Sequence, residues 1–380
     1  MPADFVEASL PKKAPPTLEE IKALPKVELH AHLSGSISQE ELAKLVAQRG
    51  DGESFQSFDC RADLSNSMVK CFDYFAKVAK VIDSLEALKT STAHVLQSFA
   101  ADNCIYLELR TSPKQFNLKK RSSDGTTLHT TKLEYLQTVK EAIDEFQKQS
   151  EEKFGFTMEV KILLSVDRGK VTSQDSALQQ IDDIILMQKS YPDLVVGVDI
   201  CGNPSKPTVS PYVIPALLKR REAFQNLPIT FHTAEVKDDE ESRLIVDNIR
   251  ELNIRRLGHV CFFPDFCREK VLGGIHDAVA IGIELCPTSN LVTRQLDSLS
   301  RHHFSDWWKQ SDKVLISFNT DDCGMFSCTS SSECYDMAIG FNLSMDDLID
   351  IQRQALMSSF HPAKEKLQSM FELMLPRNFG

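Results

Sequence analysis

Short apolar runs, each ending in a polar residue, recur along the chain at spacings typical of alternating strands and helices. Apolar and β-branched residues fill each run, and a histidine, carboxylate, glycine or asparagine follows at its end in nearly every case. The runs are "KVELHAHL", "CIYLELRTS", "EVKILLSVD", "VVGVDICG", "PITFHTAE", "RRLGHV", "AIGIELCPTSN" and "VLISFNTDD". The pattern therefore predicts about eight strands.

Segments with helical periodicity separate these runs. They include Leu133 to Gln149, Ser176 to Lys189, Val213 to Gln225 and Glu240 to Leu252. Strands that alternate with helices pair in parallel through crossover connections, so the predicted class is α/β and the predicted fold is a (β/α)8 TIM barrel. We expect one catalytic barrel domain over residues 25–380, preceded by an N-terminal leader over residues 1–24.

A long interval, residues 37–102, separates the first two predicted strands. Its periodicity predicts several inserted helices, which we expect to cover one end of the barrel. The segment from Met345 to Leu375 is also helical in pattern. The polar strand ends matter most, because a barrel of this type builds its active site from the loops that follow its strands.

Charge and composition narrow the class of ligand. The 380 residues carry a formal net charge of -11, which argues against a nucleic-acid backbone or an anionic membrane as the main partner. The ten cysteines include no C-x-x-C pair, so we expect reduced, buried thiols. No run has the length of a membrane span, and the first residues lack the apolar core of a secretory signal. We expect a soluble, cytoplasmic monomer that acts on a small molecule.

Two histidines in the first predicted strand suggest a metal site. His30 and His32 are two residues apart, so they share one face of the strand and could chelate one ion. Taken alone, the pair also fits a buried core histidine beside a histidine in a turn. Further ligand-type residues at other strand ends decide between these interpretations.

Three later strands end in such residues. His232 lies towards the end of the fifth run, His259 lies in the sixth, and Asp321 and Asp322 end the eighth. Histidines and one carboxylate, with a position left for water, are typical of a catalytic zinc site. The fourth run, "VVGVDICG", holds no lysine that could be carboxylated to bridge two metals. The sequence therefore favours one zinc ion per chain.

The motifs "PKVELHAHLSGS", "YLELRTSP", "FHTAE", "LGHV", "CPTSN" and "NTDD" together resemble those of the adenosine deaminase family, and most closely its N6-methyl-AMP deaminase branch. The resemblance extends from about Leu24 to near the C-terminus. It implies a zinc-dependent barrel that replaces the exocyclic amine of a purine with oxygen. Cytidine-type deaminases are excluded, because neither H-x-E nor P-C-x-x-C occurs.

Residue roles follow from the resemblance. It implies that the zinc ligands are His30, His32, His232 and Asp321. It makes Glu235 the acid that protonates the ring nitrogen, and this role requires a proton on Glu235 at neutral pH. His259 and Asp322 would hold and orient the attacking water, and the backbone of Gly202 would contact the purine. We expect His302 and His303 to be structural and not metal ligands.

The resemblance also suggests a nucleotide substrate, because "LRTSPK" and "LLSVDRG" bring cations towards the barrel mouth. The candidate phosphate partners are Arg110, Lys114 and Arg168. The expected substrate contacts are His32, Ser34, Ser112, Lys114, Asp167, Gly202 and Asp322. Two positions depart from the branch: Ser34 stands where an asparagine is usual, and Ala79 aligns approximately with a histidine near the phosphate.

Three functions are compatible with these residues. The leading hypothesis is hydrolytic deamination of an adenine nucleotide, N6-methyl-AMP to IMP. The second is deamination of adenosine to inosine by the same chemistry. The third is a zinc-containing binding protein without turnover, in which Glu235 would have no function. A retained Glu235 favours an enzyme.

Overall fold

The computed structural model describes residues 15–49, 54–59, 64, 67–121, 127–274 and 280–376. The strands are β1 Lys26–His32, β2 Cys104–Thr111, β3 Asn117–Arg121, β4 Thr127–His129, β5 Glu159–Asp167, β6 Val195–Cys201, β7 Ile229–Thr233, β8 Ile254–His259, β9 Ile281–Leu285 and β10 Val314–Phe318. The first seven helices are α1 Leu18–Ala23, α2 Gln39–Arg49, α3 Ser67–Val81, α4 Leu85–Ala101, α5 Lys132–Phe154, α6 Gln174–Ser190 and α7 Ile214–Lys219. The others are α8 Asp239–Asp247, α9 Asp265–Leu272, α10 Pro287–Arg294, α11 Phe304–Trp308, α12 Cys323–Phe326, α13 Ser330–Phe341, α14 Met345–Ser358 and α15 Lys364–Met374.

Eight of these strands form one parallel sheet in the order β1-β2-β5-β6-β7-β8-β9-β10. A parallel bridge between Ala31 and Asp321 brings the two edges of this sheet together. Each sheet strand matches one predicted run, so the predicted (β/α)8 barrel is confirmed. The antiparallel hairpin of β3 and β4 was not predicted.

The predicted helices are present with small changes. α5 and α6 cover the first two predicted segments, and each begins with a capping box, at Thr131 and at Ser173. The segment from Val213 to Gln225 is divided into α7 and a short 3₁₀ turn. α2, α3 and α4 lie in the predicted insertion. In the part of the chain that the structure describes, no helix is long and apolar enough to cross a membrane.

The leader predicted over residues 1–24 is only partly within the described residues, since residues 1–14 lie outside them. Its final part, α1, packs onto the barrel and buries Ile21 completely. The Nζ atom of Lys26 donates hydrogen bonds to the carbonyl oxygens of Ile21 and Leu24 at 3.1 and 2.8 Å. These bonds satisfy carbonyl groups at the end of α1 and attach the helix to β1.

Charged side chains fill the barrel interior in addition to apolar ones. Those with no exposed surface are Glu28, Glu108, Arg110, Asp199, Arg256 and Glu284. Arg110 on β2 contacts Glu284 on β9, a strand that is not its neighbour, so these side chains cross the interior. Removing one member of a buried ion-pair network leaves a charge without compensation, at a cost of about 3–5 kcal/mol.

A buried acid supports α10 from α13. The two oxygens of Glu333 accept hydrogen bonds from the backbone N–H and the hydroxyl of Thr288, at 2.8 and 2.5 Å. Burial raises the pKa of Glu333 to about 7. A carboxyl whose pKa is raised in the folded state binds more protons there than in the unfolded chain, so stability falls as pH rises between the two pKa values.

We therefore expect the Glu333→Gln variant to lose less stability than the wild type as the pH rises from 4.5 to 7. The amide keeps an acceptor for the Thr288 N–H and cannot ionise. The free energy of unfolding of the variant, relative to that of the wild type, should rise by about 3 kcal/mol over this range. Denaturant unfolding at pH 4.5, 6 and 7.5 measures this; a constant difference between the proteins would contradict the prediction.

Candidate active site

The side chains of the four predicted metal ligands meet at the C-terminal mouth of the barrel. The Nε2 atoms of His30 and His32 each lie 3.1 Å from Nε2 of His232. Oδ1 of Asp321 lies 3.5 Å from Nε2 of His30 and 3.4 Å from Nε2 of His32. Ligand atoms placed tetrahedrally around a zinc ion are separated by roughly 3.3 Å. The four side chains therefore fit one ion of that size.

Barrel closure holds these residues in place. The N–H of His32 donates to the carbonyl oxygen of Asp321, and the N–H of Asp321 donates to that of His30, both at 2.8 Å. Asp321 has a φ of 58°, in the left-handed region that is uncommon for residues other than glycine. Strain of this kind is concentrated at functional sites. The first strand and the segment after the last strand thus fix each other's ligands.

Buried carboxylates hold the outer nitrogens of two histidines. Nδ1 of His30 lies 2.8 Å from Oε2 of Glu284, and Nδ1 of His232 lies 3.0 Å from Oδ1 of Asp199. A proton on Nδ1 leaves Nε2 free to bind a metal, and such carboxylates also orient the ring. Arg110 contacts both acids, at 2.9 Å to Asp199 and 2.5 Å to Glu284.

The charges of this network keep its acids ionised. Burial by itself raises the pKa of a carboxyl group, but here opposite charges outweigh it. Arg110 and Arg256 hold the pKa of Glu284 well below its usual value. His232 and Arg110 do the same for Asp199. Both acids therefore remain carboxylates that can accept hydrogen bonds from the histidines.

Glu235 follows β7 and lies at the edge of the cluster. Its Oε1 atom is 4.0 Å from Nε2 of His259, and its Oε2 atom is 3.3 Å from Nη2 of Arg168. Burial raises the pKa of Glu235 above its usual value. A carboxyl with a raised pKa in a cavity can act as a general acid.

His259 has a defined tautomer. The side-chain amide of Asn290 donates to Nδ1 of His259 at 2.9 Å, so the ring proton lies on Nε2, which is directed towards Glu235 and Asp321. Nε2 of His303 donates to the carbonyl oxygen of His259 at 2.7 Å, and His302 contacts Asn290 at 3.1 Å. His302 and His303 therefore support His259 from behind, and they lie outside the four-ligand cluster.

Asp322 is buried beside the cluster, and its Oδ1 atom has no hydrogen-bond partner among the described residues. Burial and the adjacent Asp321 raise its pKa well above the usual value. Gly35 makes room for it, because a Cβ atom at that position would lie 1.6 Å from Oδ1. The free oxygen can therefore bind a water molecule or a substrate group.

A cavity of about 510 Å³ opens above these residues. The predicted residues that line it are His32, Ser34, Arg110, Ser112, Lys114, Asp167, Gly202, His232, Glu235, His259, Asp321 and Asp322. Ala79 and other residues of α3 form part of its wall, so the insertion covers this end of the barrel. Gly202 has a φ of 101°, and a Cβ atom there would lie 2.3 Å from Oδ1 of Asp167. The volume of the cavity lies in the range that is usual for small-molecule sites.

Sequence comparison adds to this geometry. A family model described as adenosine deaminase matches residues 25–374. The chain belongs to the adenosine deaminase family. An N6-mAMP deaminase of Arabidopsis thaliana is 30% identical over 379 residues, which cover 95% of this chain and 100% of that protein. An N6-Methyl-AMP deaminase of Danio rerio is 30% identical over 362 residues, with 91% and 94% covered.

Solved structures of family members agree with the fold. Arabidopsis ADAL in complex with IMP has a TM-score of 0.75 and 30% identity, and the match covers 93% of this chain and 98% of that one. Arabidopsis ADAL in complex with GMP also has a TM-score of 0.75, at 29% identity. The Arabidopsis protein in these two structures binds the purine nucleotides IMP and GMP.

Two of the three cations suggested for a phosphate pair with buried carboxylates: Arg110 reaches the cavity lining but pairs with Asp199 and Glu284, and Arg168 does not line the cavity. Arg110 is fully buried beneath the histidines, and Arg168 is 1% exposed and pairs with Glu235 and Glu241. The side chains of both arginines form ion pairs with buried carboxylates. Lys114 lines the cavity, where its Nζ atom donates to the carbonyl oxygen of Ile82 at 2.8 Å.

Sequence reasoning missed other residues of this site. Lys170 and Lys206 also line the cavity, and burial together with Lys170 lowers the pKa of Lys114 to about 8. The supporting acids Asp199 and Glu284 were missed as well. A signal for them existed, because each is a charged residue in the middle of an apolar strand, which indicates a polar barrel interior.

Proposed function

We propose that this chain hydrolyses N6-methyl-AMP to IMP and methylamine. The observation that carries the proposal is the convergence of three imidazole nitrogens and one carboxylate oxygen beside Glu235, at the base of a cavity of about 510 Å³. Family members with about 30% identity bear the name N6-methyl-AMP deaminase, and one solved relative is in complex with IMP, the product of this reaction.

His30, His32, His232 and Asp321 would hold one zinc ion, which when bound supplies a water molecule that ionises near neutral pH. Two further groupings of possible ligands among the described residues each share His30, His32 or Asp321 with this set. They are not independent sites, which supports one ion per chain. Metal analysis of the purified protein should give one zinc per chain, and two ions would contradict this.

The neighbouring side chains would divide the proton transfers among them. Carbon 6 of the purine is a poor electrophile until ring nitrogen 1 is protonated, and the buried carboxyl of Glu235 would donate that proton. The Nε2–H of His259 would donate a hydrogen bond to the attacking water, while the free Oδ1 of Asp322 would accept one. The backbone of Gly202, with its positive φ, would lie against the purine ring.

A competition between N6-methyl-AMP, AMP and adenosine, followed by product analysis, tests the substrate. We expect N6-methyl-AMP to be consumed first and IMP to accumulate. Faster hydrolysis of adenosine than of either nucleotide would make the chain an adenosine deaminase by the same mechanism. No turnover of any of the three would support a zinc-containing binding protein instead.

Lys114 is the proposed phosphate contact because it is the partly buried lysine of the cavity wall. Removing a charged hydrogen-bond donor from an anion costs about 1.5–3 kcal/mol. We therefore expect Lys114→Ala to raise KM for N6-methyl-AMP about 10- to 100-fold. The activity on adenosine should change little, since adenosine has no phosphate.

Lys132→Ala is the matched control for this variant. Lys132 pairs with Asp183 on the outer helices, at 2.7 Å, and does not line the cavity. Its kinetic constants should equal those of the wild type. An equal loss on nucleotide and nucleoside in Lys114→Ala would assign Lys114 a structural role.

A further inference from the structure

A cluster of three buried charged side chains adjoins the cavity. Nη2 of Arg168 lies 3.3 Å from Oε2 of Glu235, and Nη1 of Arg168 lies 2.7 Å from Oε1 of Glu241. The side chains of Arg168, Glu235 and Glu241 are only 1%, 12% and 11% exposed. One guanidinium group thus contacts two carboxyl groups in a site that excludes most water.

The backbone fixes the guanidinium between the two acids. The hydroxyl of Thr208 donates to the carbonyl oxygen of Arg168 at 2.9 Å, and Nε of Arg168 donates to the carbonyl oxygen of Gly202 at 3.3 Å. Glu241 belongs to the first turn of α8, whose N-cap is Asp238. Arg168 therefore connects the end of β5 with the loops that follow β6 and β7.

The charges in this cluster favour one bound proton. Two carboxylates and one guanidinium leave one uncompensated negative charge, which is unfavourable in a buried site. A proton on one carboxyl removes that charge. Glu241 makes the shorter contact with Arg168, so it gains more from remaining ionised, and Glu235 is the acid that takes the proton.

Other groups also face Glu235. His259 lies 4.0 Å away, and His232, Asp321, Asp322 and Cys261 are within electrostatic range. All of them stay unchanged when Arg168 or Glu241 is replaced. Differences between such variants therefore report on the Arg168 and Glu241 charges alone.

We propose that Glu241 is a positioning residue that neutralises Arg168 and thereby leaves Glu235 as the carboxyl that carries the proton for the purine ring. Arg168 acts with it, by holding Glu235 beside the backbone of Gly202. The inference rests on the proposed function, in which Glu235 is the proton donor.

The test is the pH dependence of kcat/KM for N6-methyl-AMP in Glu241→Gln. Without Glu241, the whole charge of Arg168 acts on Glu235 and favours its carboxylate. The alkaline limb of the profile should move to lower pH by about one unit, so that activity on that limb falls about tenfold. Activity below the limb should stay near the wild-type level.

A second variant removes the cation as well. Arg168→Gln in the Glu241→Gln background takes away both charges, so the alkaline limb should return towards its wild-type position. This double variant leaves no unpaired buried charge, whereas Arg168→Gln alone leaves Glu241 buried without a partner. Glu240→Gln is the matched control, because Glu240 is an exposed acid one residue earlier in α8. Its profile should equal that of the wild type.

Metal content and melting temperature are measured for every variant. An unmoved alkaline limb in Glu241→Gln, or an equal loss of activity at all pH values, would overturn the inference. If the wild type turns over neither nucleotide nor adenosine, the proposed function itself fails; if Glu235→Gln is as active as the wild type, the proton-donor role of Glu235, on which this inference rests, fails while the proposed reaction stands. An inactive Glu235→Gln together with an unmoved limb in Glu241→Gln would remove only this inference.

Discussion

The Glu235→Gln variant is expected to hydrolyse N6-methyl-AMP about 10²- to 10⁴-fold more slowly than the wild type. The amide has nearly the shape of the acid but cannot deliver a proton to the ring nitrogen. The loss should appear in kcat, because the predicted substrate contacts and all four metal ligands are unchanged. Steady-state kinetics, with metal content measured on the same preparation, checks this.

Glu240→Gln serves as the control here too, since it makes the same chemical change on the exposed side of α8. It should keep full activity. Near-normal turnover in Glu235→Gln with a full complement of metal would show that another group donates the proton. If that variant loses its metal, the missing metal would explain the fall in rate, and the result would count against Glu235 as the proton donor.

Glu284→Gln is expected to lower the free energy of unfolding by about 3–5 kcal/mol. The carboxylate lies in the barrel interior and contacts Arg110, Arg256 and His30 at 2.5, 2.6 and 2.8 Å. The amide removes the negative charge shared by two buried guanidinium groups. The amide keeps a single neutral oxygen for the donors that two carboxylate oxygens now accept from, which weakens the hydrogen bond that orients His30, so the affinity for zinc should fall about 10- to 100-fold.

Denaturant unfolding and zinc titration against a chelator measure the two effects. Glu159→Gln is the control, since Glu159 is a strand glutamate that pairs with Lys161 at 3.1 Å but is 25% exposed. Its replacement should cost no more than about 1 kcal/mol and leave zinc affinity unchanged. Equal effects in the two variants would mean that the interior network does not support the metal site.

The strands could be predicted from the sequence because each is a short apolar run with a clear end. β5, for example, matches the run "EVKILLSVD" from its first residue to its last. The hairpin of β3 and β4 could not be predicted this way, because it lacks an apolar run. β9 ends at Leu285, before the residues "CPTSN" that the run included, since Pro287 begins α10.

The arginines show where sequence position alone misleads. Arg110 and Arg168 stand at or after strand ends, as mouth residues do, yet the first lies under the histidines and the second lies between two acids. A long side chain can reach several environments from one backbone position. Which one it occupies depends on carboxylates that come from distant strands.

By itself the sequence determined the strands and the barrel, because periodicity is a local property, and it placed ligand-type residues at several strand ends. The choice of the four residues that meet as the cluster came from the resemblance of its motifs to those of the family. Only the tertiary structure decided the partners of those residues: Glu284 for His30, Asp199 for His232, Asn290 for His259 and Arg168 for Glu235. These pairs join positions 31 to 254 residues apart. Their charges and hydrogen bonds stabilise the site only when folding buries the partners together, since the strength of each pair depends on exclusion of water.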